Sequence, residues 1–327
     1  MIMLKAVLLF CLGLACLIKG GDWFVDGATG IAHRFHVPEL LIGATVVSIG
    51  TTLPEVMVSA TAAANGISDI AYGNAIGSII CNTALISALT VAIAPSVVEK
   101  KSLKVPVLFF FGAAVLYALC AYVFGKFDRW SGILLLTIFA VYMVLLVRQA
   151  VTEGKQVRQD GEKTEGTETK QAPLWKEILF LIIGAALIAV GAKLLVDNGT
   201  LIAEGLGVPK TVIALTFVAL GTSLPELVTA IVSLAKGHGA LSLGNIIGAN
   251  LFNLVLVSGT AITISPFVVP AEKRIAGMNA SLVVDIPLVF LVMLLLTIPA
   301  LLTGKLKRYQ GILLLAIYAG YCCFQFI

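Results

Sequence analysis

The chain has 327 residues, of which 59% are hydrophobic and 12% charged, and its mean hydropathy is +1.03. An average soluble domain carries about 25% charged residues, so a water-soluble globular fold is excluded, and no alternating ten-residue segments suggest a transmembrane barrel. The formal charge of +4 calls for no nucleic-acid or other anionic partner, because surplus Lys and Arg in a helical membrane protein sit in cytoplasmic loops.

Ten apolar segments follow one another, at roughly 3–30, 38–64, 69–94, 104–124, 130–149, 174–203, 210–235, 240–264, 280–303 and 309–326. A run of about 20 apolar residues crosses a bilayer as a helix, so the expected fold is an all-α membrane protein with ten transmembrane helices. Met1 to Gly20 has the apolar character of a signal peptide. It shows no small-residue cleavage site, Cys16 lacks a lipoprotein context, and the run continues to Asp26 in a segment that recurs later, so it reads as the first helix. The six cysteines all fall in apolar runs without metal-ligand spacing and read as packing residues. Val151 to Ala172, rich in Glu, Lys, Gln, Gly and Thr, reads as a flexible cytoplasmic linker. It divides the chain into units 1–150 and 174–327, joined through 151–173.

These two units are copies. A shift of 171 positions aligns 26–82 with 197–253 without a gap and gives 21 identities among 57 pairs, holding register through Gly, Pro, Asn and Glu. Gly132 to Leu136 matches Gly311 to Leu315 at a shift of 179. Each unit has five spans, an odd number, so the second enters the membrane from the opposite side and the repeat is inverted. Placing both termini outside puts 14 Lys/Arg inside and 6 outside, with Lys19 and Lys193 within spans.

The most informative stretch occurs twice, as Gly50-Thr51-Thr52-Leu53-Pro54-Glu55 and Gly221-Thr222-Ser223-Leu224-Pro225-Glu226. An ionisable residue in hydrocarbon costs at least a few kcal/mol and marks a functional site by default. Pro54 and Pro225 cannot donate to the carbonyls of Gly50 and Gly221, so each helix is expected to turn carbonyl oxygens outward beside Thr51 and Thr222. Glu55 shares a helix face with Thr51 and Thr52, as Glu226 does with Thr222 and Ser223. The next segments add stripes Asn74, Ser78, Asn82 and Asn245, Ala249, Asn253, with Cys81 expected to face away. Asn74 and Asn245 fit ligand and scaffold roles equally well. The donor set is all oxygen, which suits Ca²⁺ or Na⁺ rather than zinc or copper. Two carboxylates balance one Ca²⁺ or two to three Na⁺, but not both loads together.

Each Gly-Thr-(Thr/Ser)-Leu-Pro-Glu is followed by Gly-Asn-x-Ile-Gly-(Ser/Ala)-x-x-x-Asn, and the pair resembles the α-repeats of the cation/Ca²⁺ antiporter superfamily, most closely its sodium/calcium exchanger branch. The resemblance implies ten helices in two inverted halves. It makes Glu55 and Glu226 the central cation ligands, completed by Thr51, Thr52, Ser78, Asn82, Thr222, Ser223 and Asn253, with backbone carbonyls from Ser48 and Ala219. It also implies Na⁺/Ca²⁺ exchange across the cytoplasmic membrane of a prokaryote, without cofactor, enzymatic activity or obligatory protein partner. Ala249 replaces the serine of the other repeat, which removes one hydroxyl ligand. Asn253 stands where potassium-dependent relatives carry Asp, and no Glu-His follows the Gly-Asn motifs as in the proton/calcium branch. A proton-driven Ca²⁺ exchanger is the first rival and a cation channel the second. A water pore is disfavoured by the carboxylate pair, and a membrane enzyme by the lack of a nucleophile–base pair.

Asp26 and Asp197, near the edge of the first span of each half, are expected to serve packing or ion entry. His33, His36 and His238 are expected in solvated loops, and Phe109-Phe110-Phe111 against lipid or between helices.

Overall fold

The computed structural model describes residues 2–161, 173–207, 221–271 and 273–325. Ten helical spans account for nearly all of them. They are α1 (Ile2–Phe35), α2 (Glu39–Ala64), α3 (Ser68–Ile93), α4 (Lys100–Phe124), α5 (Arg129–Gly161), α6 (Leu174–Gly205), α7 (Leu224–Ala235), α8 (Gly239–Ile264), α9 (Ser281–Thr303) and α10 (Arg308–Gln325). Eight are long and apolar enough to cross a bilayer. The short α7 follows residues outside the description, and α10 has 18 residues. Two features depart from expectation. Helix α5 continues to Gly161 into the polar stretch, where Glu, Lys, Gln, Arg and Val extend the helix without a proline. Four two-residue strands occupy loops, β1 (Lys126–Phe127) with β2 (Phe267–Val268) and β3 (Arg274–Ile275) with β4 (Met278–Asn279).

Inversion of the repeats is visible in the packing. Helices α1 and α6 run antiparallel, with Gly13 against Gly191 and Gly20 against Gly184. A Cβ on any of these glycines would lie 3.0 Å or less from backbone atoms of the partner helix, so small residues set the close approach. The loops repeat the relationship. Lys126 pairs with Val268 at one end of the bundle and Val97 with Lys305 at the other, and these are the same two positions in exchanged repeats. Arg129 donates to the carbonyls of Thr263 and Ile264, as Arg308 does to that of Ile93.

One end of the bundle carries most of the ion pairs. Arg34 grips Glu177 with two bonds of 2.9 and 3.1 Å, Lys101 meets Glu153 at 3.3 Å, and Lys236 meets Asp26 at 2.8 Å. His238, expected in solvent, places Nδ1 2.8 Å from Glu39 Oε1, while His33 stays largely exposed. Asp26 thus fastens α1 to the end of α7, whereas among the described residues Asp197 pairs with Lys193 on its own helix. Phe110 is fully buried, with Phe109 on Tyr142 and Phe111 on Phe290, so this aromatic run packs between helices.

Candidate functional site

Helices α2 and α8 cross near the middle of the bundle because glycine removes the side chains between them. A Cβ on Gly43 would lie 2.4 Å from the Leu241 carbonyl oxygen, and one on Gly244 2.2 Å from that of Leu40. Hydroxyls then stitch the two backbones. Ser48 Oγ lies within hydrogen-bonding distance of two carbonyl oxygens, its own helix's Gly43 at 2.7 Å and Asn245 of the other repeat at 2.9 Å. Thr51 Oγ1 donates to Asn245 Oδ1 at 3.1 Å. Asn74 donates to the Glu55 carbonyl and to Ser59 Oγ, at 3.1 and 2.9 Å. Both asparagines therefore position the motif helices. The sequence pattern points to neither Ser59 nor the Thr51–Asn245 bond, since each depends on which helices meet.

Glu55 and Glu226 are fully buried, one from each repeat, and neither carboxylate has a hydrogen-bond partner among the described residues. The helices that carry them, α2 and α7, pack against each other. Around them Thr52, Asn82, Ser223 and Asn253 are buried with side-chain polar atoms that have no partner among the described residues. Thr51 and Ser78 are buried too, and Thr222 is half-buried. Ala219 lies outside the described residues, as does the segment before Gly221. Cys81 is buried beside Asn82.

Local backbone geometry departs from the regular α-helix at matched places. A π-helical turn begins at Asn82 and another at Asn253, and a third spans Gly43 to Val47 just before Ser48. Such wide turns concentrate at functional sites because they displace the regular carbonyl ladder. The two prolines differ in effect. Pro54 sits inside a continuous helix, whereas in the second motif Thr222 and Ser223 form a turn and α7 begins at Leu224. The expected opening of the helix is thus found in one repeat and not in the other.

An open groove of about 680 Å³ lies between α2, α6 and the start of α7, lined by Pro54, Met57, Ala192, Thr222 and Pro225 among others. The matching place between α1 and α7 is closed, since a Cβ on Gly21 would meet Val228 and Val232 at 2.9 Å. The two long helices therefore pack unequally against the motif helices.

Chemically, the arrangement is a polar centre in an apolar bundle. Two carboxylates, hydroxyls and amides converge from both repeats, and no group of three or more His, Cys, Asp or Glu that could hold a metal is found among the described residues. The hard oxygen donors fit alkali and alkaline-earth cations.

Comparison with known proteins agrees with this architecture. The family model described as sodium/calcium exchanger protein matches residues 5–148 and 176–327, one stretch for each repeat. The putative antiporter CaxA of Alkalimonas amylolytica is 35% identical over 328 residues, 98% of each chain. The sodium/calcium exchanger MaX1 of Methanosarcina acetivorans is 33% identical over 353 residues, 96% of each chain. Among solved structures, the sodium–calcium exchanger NCX_Mj soaked with Na⁺ and Sr²⁺ superimposes with a TM-score of 0.79 at 34% identity, covering 97% of each chain. This chain is a multi-pass membrane protein and belongs to the sodium/calcium exchanger family of cation antiporters.

Proposed function

We propose that the chain exchanges Na⁺ for Ca²⁺ at a single central site built on Glu55 and Glu226, exposed alternately to the two sides of the membrane. The observation that carries this is the pair of fully buried glutamates, one from each inverted repeat, with no hydrogen-bond partner for any of the four carboxylate oxygens among the described residues. Two charges held this way are strongly unfavourable unless cations neutralise them. A charge near −2 is met by one Ca²⁺ or by two to three Na⁺, so the two loads exclude each other. That exclusion is the condition for coupled exchange.

Thr51, Thr52, Ser78, Asn82, Thr222, Ser223 and Asn253 supply further oxygen ligands in this reading, with backbone carbonyls at Ser48 and Ala219. The unequal packing of α1 and α6 supports alternation: α6 stands off α2 beside an open groove while α1 is closed against α7. Exchanging those two arrangements would open the other side, as the inverted repeat allows. We place the protein in a cytoplasmic membrane with both termini outside, because the face bearing Arg34, Lys101 and Lys236 then lies inside.

Ca²⁺ uptake into Na⁺-loaded proteoliposomes tests the coupling. Uptake is expected to require internal Na⁺ and to be unmoved by an imposed pH gradient. Uptake driven by the pH gradient without Na⁺ would assign proton coupling, and entry without either gradient would assign a channel.

A further inference from the structure

The two repeats differ in the buried hydroxyls that lie beyond each glutamate. On α7, Glu226, Thr229 and Ser233 are spaced three and four residues apart, which puts them on one face, and each is fully buried. On the following helix α8, Ser242 and Asn245 are likewise buried. The hydroxyls of Thr229, Ser233 and Ser242 and the Nδ2 of Asn245 all lack a partner among the described residues. In the first repeat the same positions are Val58, Ala62, Ala71 and Asn74. There the alanines pack as an apolar cluster, and the Asn74 amide is satisfied by Glu55 and Ser59.

We infer that this ladder is a water-lined passage by which hydrated cations travel between Glu226 and the face of the bundle that bears Lys236 and His238. A rise of about 1.5 Å per residue sets Thr229 roughly 4.5 Å and Ser233 roughly 10 Å from Glu226 along the helix. That spread is too long for the ligand shell of one ion and suits successive waters. Asn245 presents an N–H donor to the ladder and the others present hydroxyls, a mixture that ordered water satisfies and a bare cation does not. At its far end the ladder meets the hairpin tip. The His238 N–H donates to the Ser233 carbonyl at 2.7 Å, and the Ser242 N–H donates to the His238 carbonyl at 3.2 Å. His238 and Lys236 pair there with Glu39 and Asp26, so polar and charged groups mark the mouth.

The inference rests on Glu226 being a cation site, but its first test needs no transport. Ser233→Cys and Ser242→Cys, in a chain whose six native cysteines are replaced, are treated with a charged, membrane-impermeant methanethiosulfonate. Treatment is repeated in Na⁺, in Ca²⁺ and in neither. Modification is expected from the Lys236 face and not from the other, at least about tenfold faster than at the mirror positions in Ala62→Cys and Ala71→Cys. Protection in all three conditions, or equal rates at the mirror positions, would overturn it. A second measurement keeps the native cysteines. Thr229→Val combined with Ser233→Ala should slow Na⁺–Ca²⁺ exchange several-fold and leave equilibrium Ca²⁺ binding unchanged, since a passage alters rates. An unaltered rate, or weakened binding, would contradict a passage.

Discussion

Thr51 of the first repeat donates its hydroxyl to the Asn245 side-chain oxygen of the second, at 3.1 Å, in the fully buried centre of the bundle. The bond holds the motif of one half against the glycine-rich helix of the other, beside both glutamates. Ser48, hydrogen-bonded to the Asn245 carbonyl at 2.9 Å, fixes the same crossing one turn earlier.

Asn245→Ala removes the acceptor and leaves a buried hydroxyl to be satisfied elsewhere. Leaving such a group unpaired costs about 1–3 kcal/mol, so Ca²⁺ affinity is expected to fall by about tenfold or more. Equilibrium Ca²⁺ binding to purified protein measures it. An unchanged affinity would remove Asn245 from the support of the site.

Gly244→Ala should be damaging and Gly112→Ala should not. At Gly244 the added methyl meets the Leu40 carbonyl at 2.2 Å, whereas at Gly112 nothing lies within 4 Å. The first change forces α2 away from α8 and separates Ser48 from Asn245. The second exchanges glycine for a better helix former, a gain of up to about 1 kcal/mol. Thermal unfolding in detergent should separate the two variants by their sign.

Glu177→Ala is expected to destabilise the fold without altering ion selectivity. Glu177 is buried and receives both bonds of the Arg34 guanidinium, joining the end of α1 to the start of α6. Removing the carboxylate takes both bonds from a partly exposed guanidinium at the end of the bundle, which should lower the melting temperature measured by thermal unfolding. The residual folded protein should keep the Na⁺ to Ca²⁺ preference of the parent.

Ala249→Ser restores the hydroxyl that the first repeat carries at Ser78. Ala249 is fully buried one helical turn from Asn253. The expected outcome is a lower half-saturating Na⁺ concentration in Na⁺-driven Ca²⁺ uptake, by about two- to tenfold. No change would mean that this position does not face the Na⁺ load.

Much of this architecture was legible in the residues because the duplication holds register through Gly, Pro, Asn and Glu. The ten spans, the inversion and the pairing of Glu55 with Glu226 follow from that register and from hydropathy. Contacts between distant segments were not legible. The Val97–Lys305 and Lys126–Val268 pairs involve single residues in short loops, and His238 meets Glu39 only because α7 ends beside α2. Thr229, Ser233 and Ser242 carry no motif. Comparing the repeats for polar residues replacing apolar ones would have found them. Pro54 and Pro225 occupy matched positions in matched sequences, yet only the second lies just beyond a turn. Packing against neighbours decides that, and a repeat alignment does not contain it.

The central claim is that both glutamates hold the exchanged cations. The most direct measurement is Ca²⁺ uptake into Na⁺-loaded proteoliposomes by wild-type, Glu55→Gln and Glu226→Gln protein, with equilibrium Ca²⁺ binding measured on the same preparations. Each substitution nearly preserves shape and removes one of two charges. The account predicts that either one abolishes Na⁺-dependent uptake and weakens Ca²⁺ binding by at least about a hundredfold, while the protein stays folded. Uptake at near wild-type rate in either variant would contradict it.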